Sequence, residues 1–293
     1  METKQDLSHL VGYELTPTTL KYDERDVMLY ALGVGGGADP LDREALRFVY
    51  EHHPRGLMVL PTFAATFGYE AMWQILGLPG LSFNPMMLLH GEQMTEVPKP
   101  LPAAATVVNR GEIGAVYDKG KGALFLLDVT SEDGQGRRLA FNRYSLFIRG
   151  LGGWGGERGP SGGGNQPPDR APDAVVEEHI PEDQALLYRL SGDRNPLHAD
   201  PQMAAVAGFE RPILHGLCTL GFAARALLAE VVGQQAEYFR RIQCRFSSHV
   251  FPGETLLTQL WREEEGRVFF QCRVAEREVV VLSNAVFAFH GSR

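Results

Sequence analysis

The sequence contains few cysteines and no long uninterrupted hydrophobic run. Its three cysteines, Cys218, Cys244 and Cys272, lie far apart and form no CxxC pair. They predict reduced, buried thiols inside a cell and not a disulfide framework. No segment reaches the roughly 20 apolar residues that a membrane-spanning helix needs, and the polar start of the chain lacks the apolar run of a signal peptide. We therefore expect no membrane span.

Positive charge is also scarce. The chain has 28 Lys and Arg against 36 Asp and Glu, a net charge of -8, with no basic arm. This composition gives no support to nucleic-acid binding. A local cluster such as Arg240, Arg241 and Arg245 can still attract a small anion within a Debye length. With 44% hydrophobic and 22% charged residues, the 293-residue chain predicts a globular protein of one large or two ordinary domains.

Two common site motifs are missing or misplaced. His52, His53 and His215 form no recognised metal set with carboxylates, so we expect no metal. The segment Gly-Val-Gly-Gly-Gly-Ala at 33–38 fits the G-x-G-x-x-A nucleotide fingerprint, but residues 26–32 before it read as a helix, where the fingerprint needs a strand. We expect no nucleotide site there.

A stretch rich in Gly and Pro, centred on residues 151–172, separates two parts of the chain. This composition predicts a linker between an N-terminal domain at 1–150 and a C-terminal domain at 173–293. A long surface loop within one domain is the alternative.

The two parts share a sequence plan. Leu-Tyr-Ala-Leu-Gly near residue 30, followed by Asp-Pro, matches Leu-Tyr-Arg-Leu-Ser-Gly near residue 188, also followed by Asp-Pro. Each part then ends in two β-rich segments, 122–130 with 139–149 and 267–274 with 279–289, with Asn142 or Asn284 in the last one. The matches predict an internal repeat, although they are short enough for chance to remain the alternative.

The second half combines helices with β-strands. Residues 182–190 predict a short amphipathic helix, and residues 217–232 are apolar nearly all round, which is typical of a buried helix. The Val- and Phe-rich segments after them predict antiparallel strands around that helix. Such an α+β unit is a hot-dog fold, and its repetition predicts a double hot-dog fold in one chain.

The loop at residues 188–201 carries the strongest chemical signal. Gly192, Asn195 and two prolines fix its course, and Asp193 and His198 stand five residues apart. A carboxylate and an imidazole that face one point can hold a water molecule and move protons at neutral pH. Loop capping or a surface position is the alternative reading of each residue.

A second signal follows at Pro-Ile-Leu-His-Gly-Leu, residues 212–217. Gly216 stands at the start of the predicted buried helix, where N–H groups are free and partial positive charge collects. This position predicts an oxyanion hole for the enolate of a thioester. Tight packing at Gly216 is the alternative.

Together, residues 188–201, with their Asp-x-Asn-Pro-x-His core, and residues 211–219 resemble the hydratase-2 motif of MaoC-like enzymes. The similarity extends over nearly the whole chain, and it includes Leu-His-Gly-Glu-Gln at 89–93 and the stretch at 147–156. The chain resembles the hydratase-2 unit of peroxisomal multifunctional enzyme type 2.

The resemblance implies roles for particular residues. Asp193 and His198 are the implied catalytic pair, Asn195 positions the loop, and the Gly216 amide donates to the thioester oxygen. Further candidates for contacts with the substrate or its CoA part are His90, Gly91, Gly152, Gly153, Trp154 and His215.

The implied reaction is syn hydration of trans-2-enoyl-CoA to (3R)-3-hydroxyacyl-CoA, without metal or redox cofactor. The residues do not indicate which of Asp193 and His198 takes the water proton. The first half has no counterpart of this pair, so we expect it to bind without catalysing. The alternatives are a (3R)-hydroxyacyl-carrier-protein dehydratase and a non-catalytic acyl-thioester-binding protein.

Two further expectations concern assembly and location. The resemblance implies a homodimer. The chain ends in His-Gly-Ser-Arg and not in the peroxisomal Ser-Lys-Leu signal, so a cytoplasmic location is expected.

Overall fold

A computed structural model describes residues 5–160 and 162–291 of the chain. The first four and last two residues, on which the expectations about targeting partly rest, lie outside the described residues. The strands within the described part are β1 (Thr18–Tyr22), β2 (Leu88–Glu96), β3 (Ala105–Asp118), β4 (Gly122–Asp133), β5 (Arg138–Arg149), β6 (Ala174–His179), β7 (Phe239–Phe246), β8 (Thr255–Glu264), β9 (Arg267–Val274) and β10 (Val279–Phe289).

These strands form one antiparallel sheet in the order β1-β3-β4-β5-β2-β7-β10-β9-β8-β6. The order in the second half mirrors the order in the first, so that β1 to β5 correspond to β6 to β10 in turn. The halves join where β2 pairs with β7, from Glu92 opposite Arg245 to Glu96 opposite Arg241. The repeat predicted from the sequence is therefore a repeat of strand order, and the chain has the predicted α+β, double hot-dog architecture.

The helices of the described residues are α1 (Glu24–Gly33), α2 (Tyr69–Trp73), α3 (Gln184–Tyr188), α4 (Pro201–Val206) and α5 (Gly216–Val232). Helix α5 is buried on most of its surface, as its apolar composition predicts. Gly221 on α5 leaves no room for a Cβ against Val34, which follows α1, so the two halves pack closely here. None of the helices in the described part of the chain is long and apolar enough to cross a membrane.

The first half lacks a long counterpart of α5. A 3-10 turn at Pro61–Thr66 and the short α2 stand in its place. The carbonyl of Ala64 accepts a hydrogen bond from Asn142 Nδ2 at 2.9 Å, and the carbonyl of Ala65 accepts one from the Tyr144 hydroxyl at 2.9 Å. Side chains of β5 thus bond two carbonyls that a regular α-helix would use internally, and the helix is interrupted.

Helix α3 is shorter than the amphipathic pattern at 182–190 predicts. A 3-10 turn continues it over Arg189–Ser191, and Gly192 follows with a φ of +132°. That backbone conformation favours glycine, so the chain leaves the helix there and enters the loop that carries Asp193.

The Gly- and Pro-rich stretch connects β5 to β6 without regular secondary structure over its described residues. It packs against the sheet: the Asp118 carboxylate accepts hydrogen bonds from the N–H groups of Gly153 and Gly155, at 2.7 and 2.8 Å. Burial opposes ionisation, but these and other backbone donors outweigh it and lower the pKa of Asp118 to about 2. Asn165 N–H also donates to Asn284 Oδ1. The connection is therefore held in place by polar contacts at both ends.

Candidate active site

The loop between α3 and α4 is fixed by its own hydrogen bonds. Asp193 Oδ1 accepts from Asn195 N–H at 3.1 Å, and Asn195 Oδ1 accepts from Leu197 N–H at 3.0 Å. Asp200 Oδ1 accepts from Gln202 N–H at 2.8 Å and caps α4. These short-range contacts, which Asx side chains favour, hold Asp193 and His198 in a defined relative position.

His198 is buried and anchored through one ring nitrogen. Its Nδ1 lies 2.8 Å from the carbonyl oxygen of Ile213. A carbonyl can only accept, so Nδ1 carries the proton and Nε2 keeps its lone pair. Burial lowers the pKa of His198, although the Asp193 carboxylate acts in the opposite direction. The ring is therefore neutral at physiological pH and offers Nε2 as an acceptor.

His215 supports this pair from the start of α5. Its ring stacks on the His198 ring, with centroids 3.7 Å apart and planes at 27°. Its Nε2 donates to the backbone carbonyl of Asp193 at 3.1 Å, while its buried Nδ1 has no hydrogen-bond partner within the described residues. Burial lowers the pKa of His215 to about 2. The neutral ring thus connects the helix to the Asp193 loop.

The first turn of α5 presents free amide groups beside this cluster. Gly216 is the first residue of the helix, and its N–H donates to no group in the described part of the chain. A Cβ at Gly216 would lie 3.0 Å from the Phe246 ring. The glycine therefore allows both close packing and a close approach to the amide, and the two interpretations from the sequence are compatible.

A cavity of about 660 Å³ connects these groups. The catalytic cavity, as we call it, is lined from the second half by Asp193, Asn195, His198, His215 and Gly216 and from the first half by residues that include Tyr69, His90, Gly91, Ser145 and Phe147. This volume is large enough to hold a small-molecule ligand. Both halves of the sheet are therefore needed to enclose it.

His90 is an ionisable group that the first half contributes to this cavity. Burial lowers the pKa of His90 to about 4, and its Nε2 has no hydrogen-bond partner in the described residues. The ring packs edge-on against Phe246 at a centroid distance of 5.0 Å. The position agrees with the predicted substrate contact, which stays a prediction.

Gly152, Gly153 and Trp154 do not line the catalytic cavity. Gly152 lies against the backbone of Gly120 and Gly122, Gly153 N–H bonds Asp118, and Trp154 packs against the hydrophobic core. Their contacts are structural, so a role for them in binding CoA has no support from this geometry and stays a prediction.

Three cationic side chains line the catalytic cavity: Lys119, Arg149 and Arg245. Of the arginine cluster considered from the sequence, only Arg245 lies here; it forms an ion pair with Glu92 at 2.6 Å. The sequence did not predict that Tyr69, Lys119 and Arg149 line the cavity, because no local motif marks them. They reach the cavity through strand pairing and loop packing between distant segments.

Asp193, His198 and His215 each offer one atom that could bind a metal, and these atoms lie within 4.8 Å of one another. The sequence did not predict this grouping. The spacing alone is compatible with a metal ion. The two rings are stacked, however, so their lone pairs run in nearly parallel planes, whereas a shared ion has to lie in the plane of each ring. The geometry therefore favours proton transfer over metal binding.

Comparison with known proteins gives matches over both halves. The family described as "MFE-2 hydratase 2 N-terminal domain" matches residues 20–150, and the family described as "MaoC like domain" matches residues 164–285. The "Enoyl-CoA hydratase 2, peroxisomal" of Arabidopsis thaliana is 44% identical over 289 residues, which cover 94% of this chain and 93% of that protein.

Solved structures agree with the fold. The crystal structure of a MaoC-like dehydratase from Phytophthora capsici has a TM-score of 0.85 and 37% identity, covering 96% of this chain and 97% of that one. A conserved hypothetical protein of Mycobacterium tuberculosis, described as having a double hot-dog fold, has a TM-score of 0.56 and 14% identity, covering 95% of this chain and 96% of that one. The second likeness concerns the fold alone.

Proposed function

Because this chain belongs to the MaoC-like hydratase 2 family, we propose that it adds water reversibly to trans-2-enoyl-CoA to give (3R)-3-hydroxyacyl-CoA. The observation that carries the proposal is the pairing of a neutral, anchored His198 with Asp193 at one end of a cavity beside free helix amides. Fatty-acyl metabolism is the corresponding setting, because enoyl-CoA, which the name of the Arabidopsis relative gives, is a fatty-acyl thioester.

The proposed proton transfer uses the free nitrogen of His198. Its Nε2 accepts a proton from a water molecule whose second hydrogen bonds to the Asp193 carboxylate, and the water oxygen attacks C3 of the enoyl group. A proton then reaches C2 from the same face, which completes a syn addition. His198 supplies that proton, since it is the group that has just gained one. The neutral state of its ring before the reaction supports this assignment.

The negative charge that develops on the thioester oxygen needs a donor. The Gly216 amide at the start of α5 is in the right chemical environment, because helix N-termini favour negative charge. We assign the oxyanion contact to this amide. Because the thioester itself acidifies the C2 position, the proposed reaction needs no metal or redox cofactor.

The CoA part requires cations for its phosphates. Lys119, Arg149 and Arg245 supply positive charge at the wall of the catalytic cavity, in a chain whose net charge is -8. We propose that the first half contributes to acyl and CoA binding and does not catalyse. Three cations suit a compact nucleotide better than the extended acidic surface of a carrier protein, so we favour acyl-CoA over acyl-carrier protein as substrate.

The experiment that tests this function is a spectrophotometric assay with crotonyl-CoA, followed by chiral analysis of the product. We expect loss of the enoyl absorbance and formation of the (3R) alcohol. A parallel assay with the crotonyl carrier protein should give a much lower kcat/KM. Binding of crotonyl-CoA without any turnover would instead indicate a non-catalytic thioester-binding protein, and an (S) product would contradict the proposed face of water attack on C3.

Assembly and location stay predictions. A homodimer is expected from the family resemblance, and sedimentation analysis tests it. A peroxisomal location is as compatible with the relatives as the cytoplasmic one expected from the sequence, because the Arabidopsis relative is named as peroxisomal.

A further inference from the structure

A second cavity of about 270 Å³ lies directly behind the catalytic loop. This distal cavity, as we call it, is lined by β1, α1, the segment at residues 63–70 and the turn that ends at Gly192. Gly192 is followed by Asp193, which lines the catalytic cavity. The two cavities therefore lie on opposite sides of one short piece of backbone.

Tyr69 forms the wall between the cavities, because its side chain lines both. Its ring packs on Gly192, where an added Cβ would lie 2.8 Å from Tyr69 Cδ2. The Tyr69 hydroxyl is 3.4 Å from the Tyr188 hydroxyl, at the outer limit of a hydrogen bond. An acyl chain that passes from the catalytic cavity into the distal cavity therefore has to displace the Tyr69 side chain.

Three residues that line the distal cavity each have a buried polar atom without a partner. Thr18 Oγ1, Asn109 Nδ2 and Ser191 Oγ are buried and have no hydrogen-bond partner within the described residues. Native proteins rarely leave such groups unpaired, since each costs free energy when it is buried alone. Asn109 uses its other amide atom, Oδ1, to accept from Ser131 Oγ, and its Nδ2 is left as a donor without a partner in a residue that lines the cavity. The site therefore requires a ligand, or water, that can accept hydrogen bonds.

The charges around the distal cavity limit what this ligand can be. Asp26 and Glu70 line it together with a single cation, Lys21. This balance disfavours a carboxylate or a phosphate. An uncharged hydroxyl group fits better, because it can accept from Asn109 Nδ2 and exchange hydrogen bonds with the hydroxyls of Thr18 and Ser191.

We propose that the distal cavity binds the far end of the acyl group and selects substrates that carry an uncharged hydroxyl there. The inference rests on the proposed hydratase function and extends it to a substrate class, the enoyl-CoA thioesters with a polar tail. A chain that ends in a methyl group leaves the three polar atoms unpaired, whereas a hydroxylated chain satisfies them. Sites of this kind discriminate strongly against analogues that lack the hydrogen-bonding group.

The test uses trans-2-enoyl-CoA thioesters of increasing chain length, each prepared with and without a terminal hydroxyl. We expect the ratio of kcat/KM for the two forms to favour the hydroxylated one over a limited window of lengths. Thr18→Val and Ser191→Ala should each lower that ratio by about three- to tenfold, the effect of one neutral hydrogen bond. Thr106→Val is the matched control, because Thr106 is exposed on β3 and lines neither cavity.

A ratio that is the same at all lengths, or one that both variants leave unchanged, would overturn the inference. Crotonyl-CoA is too short to reach the distal cavity. Its turnover therefore tests the hydratase function independently of the distal site. Turnover of crotonyl-CoA without any hydroxyl preference would refute the distal site alone. Absence of turnover with crotonyl-CoA and with every longer thioester of the series would remove the proposed function and the distal site with it.

Discussion

Asp193 and His198 hold complementary positions, because one offers a fixed carboxylate and the other a free Nε2. We predict that Asp193→Asn and His198→Gln each reduce kcat by about three orders of magnitude or more, within the range that acid–base groups contribute together with water positioning. The measurement is steady-state hydration of crotonyl-CoA by each variant. Because the two residues act on one water molecule, the double variant should be little slower than either single variant.

The control for this prediction is folding. Thermal unfolding of both variants should remain cooperative, since each replacement is a polar side chain of similar size. Near-normal turnover in either single variant, or fully multiplicative losses in the double variant, would contradict the assignment of a joint role.

The sequence predicted the catalytic loop but not the contacts from other segments that hold it in place. The loop is recognisable because Asp193, Asn195 and His198 bond within a few residues of each other. The contact of His215 with the Asp193 carbonyl spans 22 positions in the chain. It depends on where α5 starts relative to the loop, which is a property of the packed molecule. His215 contacts this loop and also lines the catalytic cavity, so the substrate contact expected for it stays a prediction.

The start of α5 is the element on which the oxyanion assignment depends. We predict that Gly216→Val lowers kcat by about two orders of magnitude, similar to the loss of one oxyanion donor. The added side chain meets Phe246 at the cavity wall and displaces the thioester from the amide. The melting temperature should fall only slightly, because Gly216 is at the first position of the helix, where its replacement does not interrupt the helix. Kinetic and thermal measurements on the same preparation compare the two effects.

A second substitution distinguishes chemistry from packing. Phe246→Leu gives the valine room, so Gly216→Val combined with Phe246→Leu should recover the melting temperature but not the turnover. Recovery of both would mean that Gly216 serves packing alone, and the oxyanion donor would have to be sought elsewhere.

Elements with local patterns were predictable, and elements that depend on partners were not. Composition predicted the buried helix α5. It also predicted the strand pairs β4 with β5 and β9 with β10. The interrupted helix of the first half did not, because Asn142 and Tyr144 of β5 bind its carbonyls from about 80 positions away. The residues of Pro61–Thr66 are all buried, yet they form a 3-10 turn and not a long helix.

Four histidines of the described residues line the catalytic cavity, His90, His198, His215 and His249, and burial lowers the pKa of each. Burial lowers the pKa of His90 to about 4 and that of His215 to about 2, and it also lowers the pKa of His198 below 6.5. Below about pH 6.5 the unfolded chain therefore binds more protons than the folded protein. Stability is fully present above that pH and is lost as the pH falls towards the folded-state pKa values, by about 1.4 kcal/mol per pH unit for each histidine.

We predict that His90→Gln makes this loss shallower by about 1.4 kcal/mol per pH unit between about pH 6 and about pH 5. Denaturant unfolding at a series of pH values measures the slope. His52→Gln is the control, because that side chain is 76% exposed and should leave the slope unchanged. An identical slope in His90→Gln and the parent protein would contradict the burial of a neutral His90.

The mirrored sheet raises the question of whether each chain has one active site or two. The first half has Gly33 to Ala38 where the second half has its Asp193 loop, so no acid or imidazole is present to hold a water molecule. The Gly33 carbonyl instead accepts hydrogen bonds from Gln184 and Cys218 of the second half, which makes this segment a packing contact. Pro61 stands where the second half has His215, and it begins a 3-10 turn in place of a long helix.

We therefore predict one active site per chain. Calorimetric titration with a non-reactive enoyl-CoA analogue should give a stoichiometry near one, and residues 173–293 expressed alone should not show full activity with long substrates. The reason is geometric, because Tyr69, His90 and Phe147 of the first half form part of the wall of the catalytic cavity. Lys119 and Arg149, which we propose to bind phosphate, are lost with them. A stoichiometry near two, or full activity of the second half alone, would mean that the mirrored half is a second catalyst and not the binding partner of a single one.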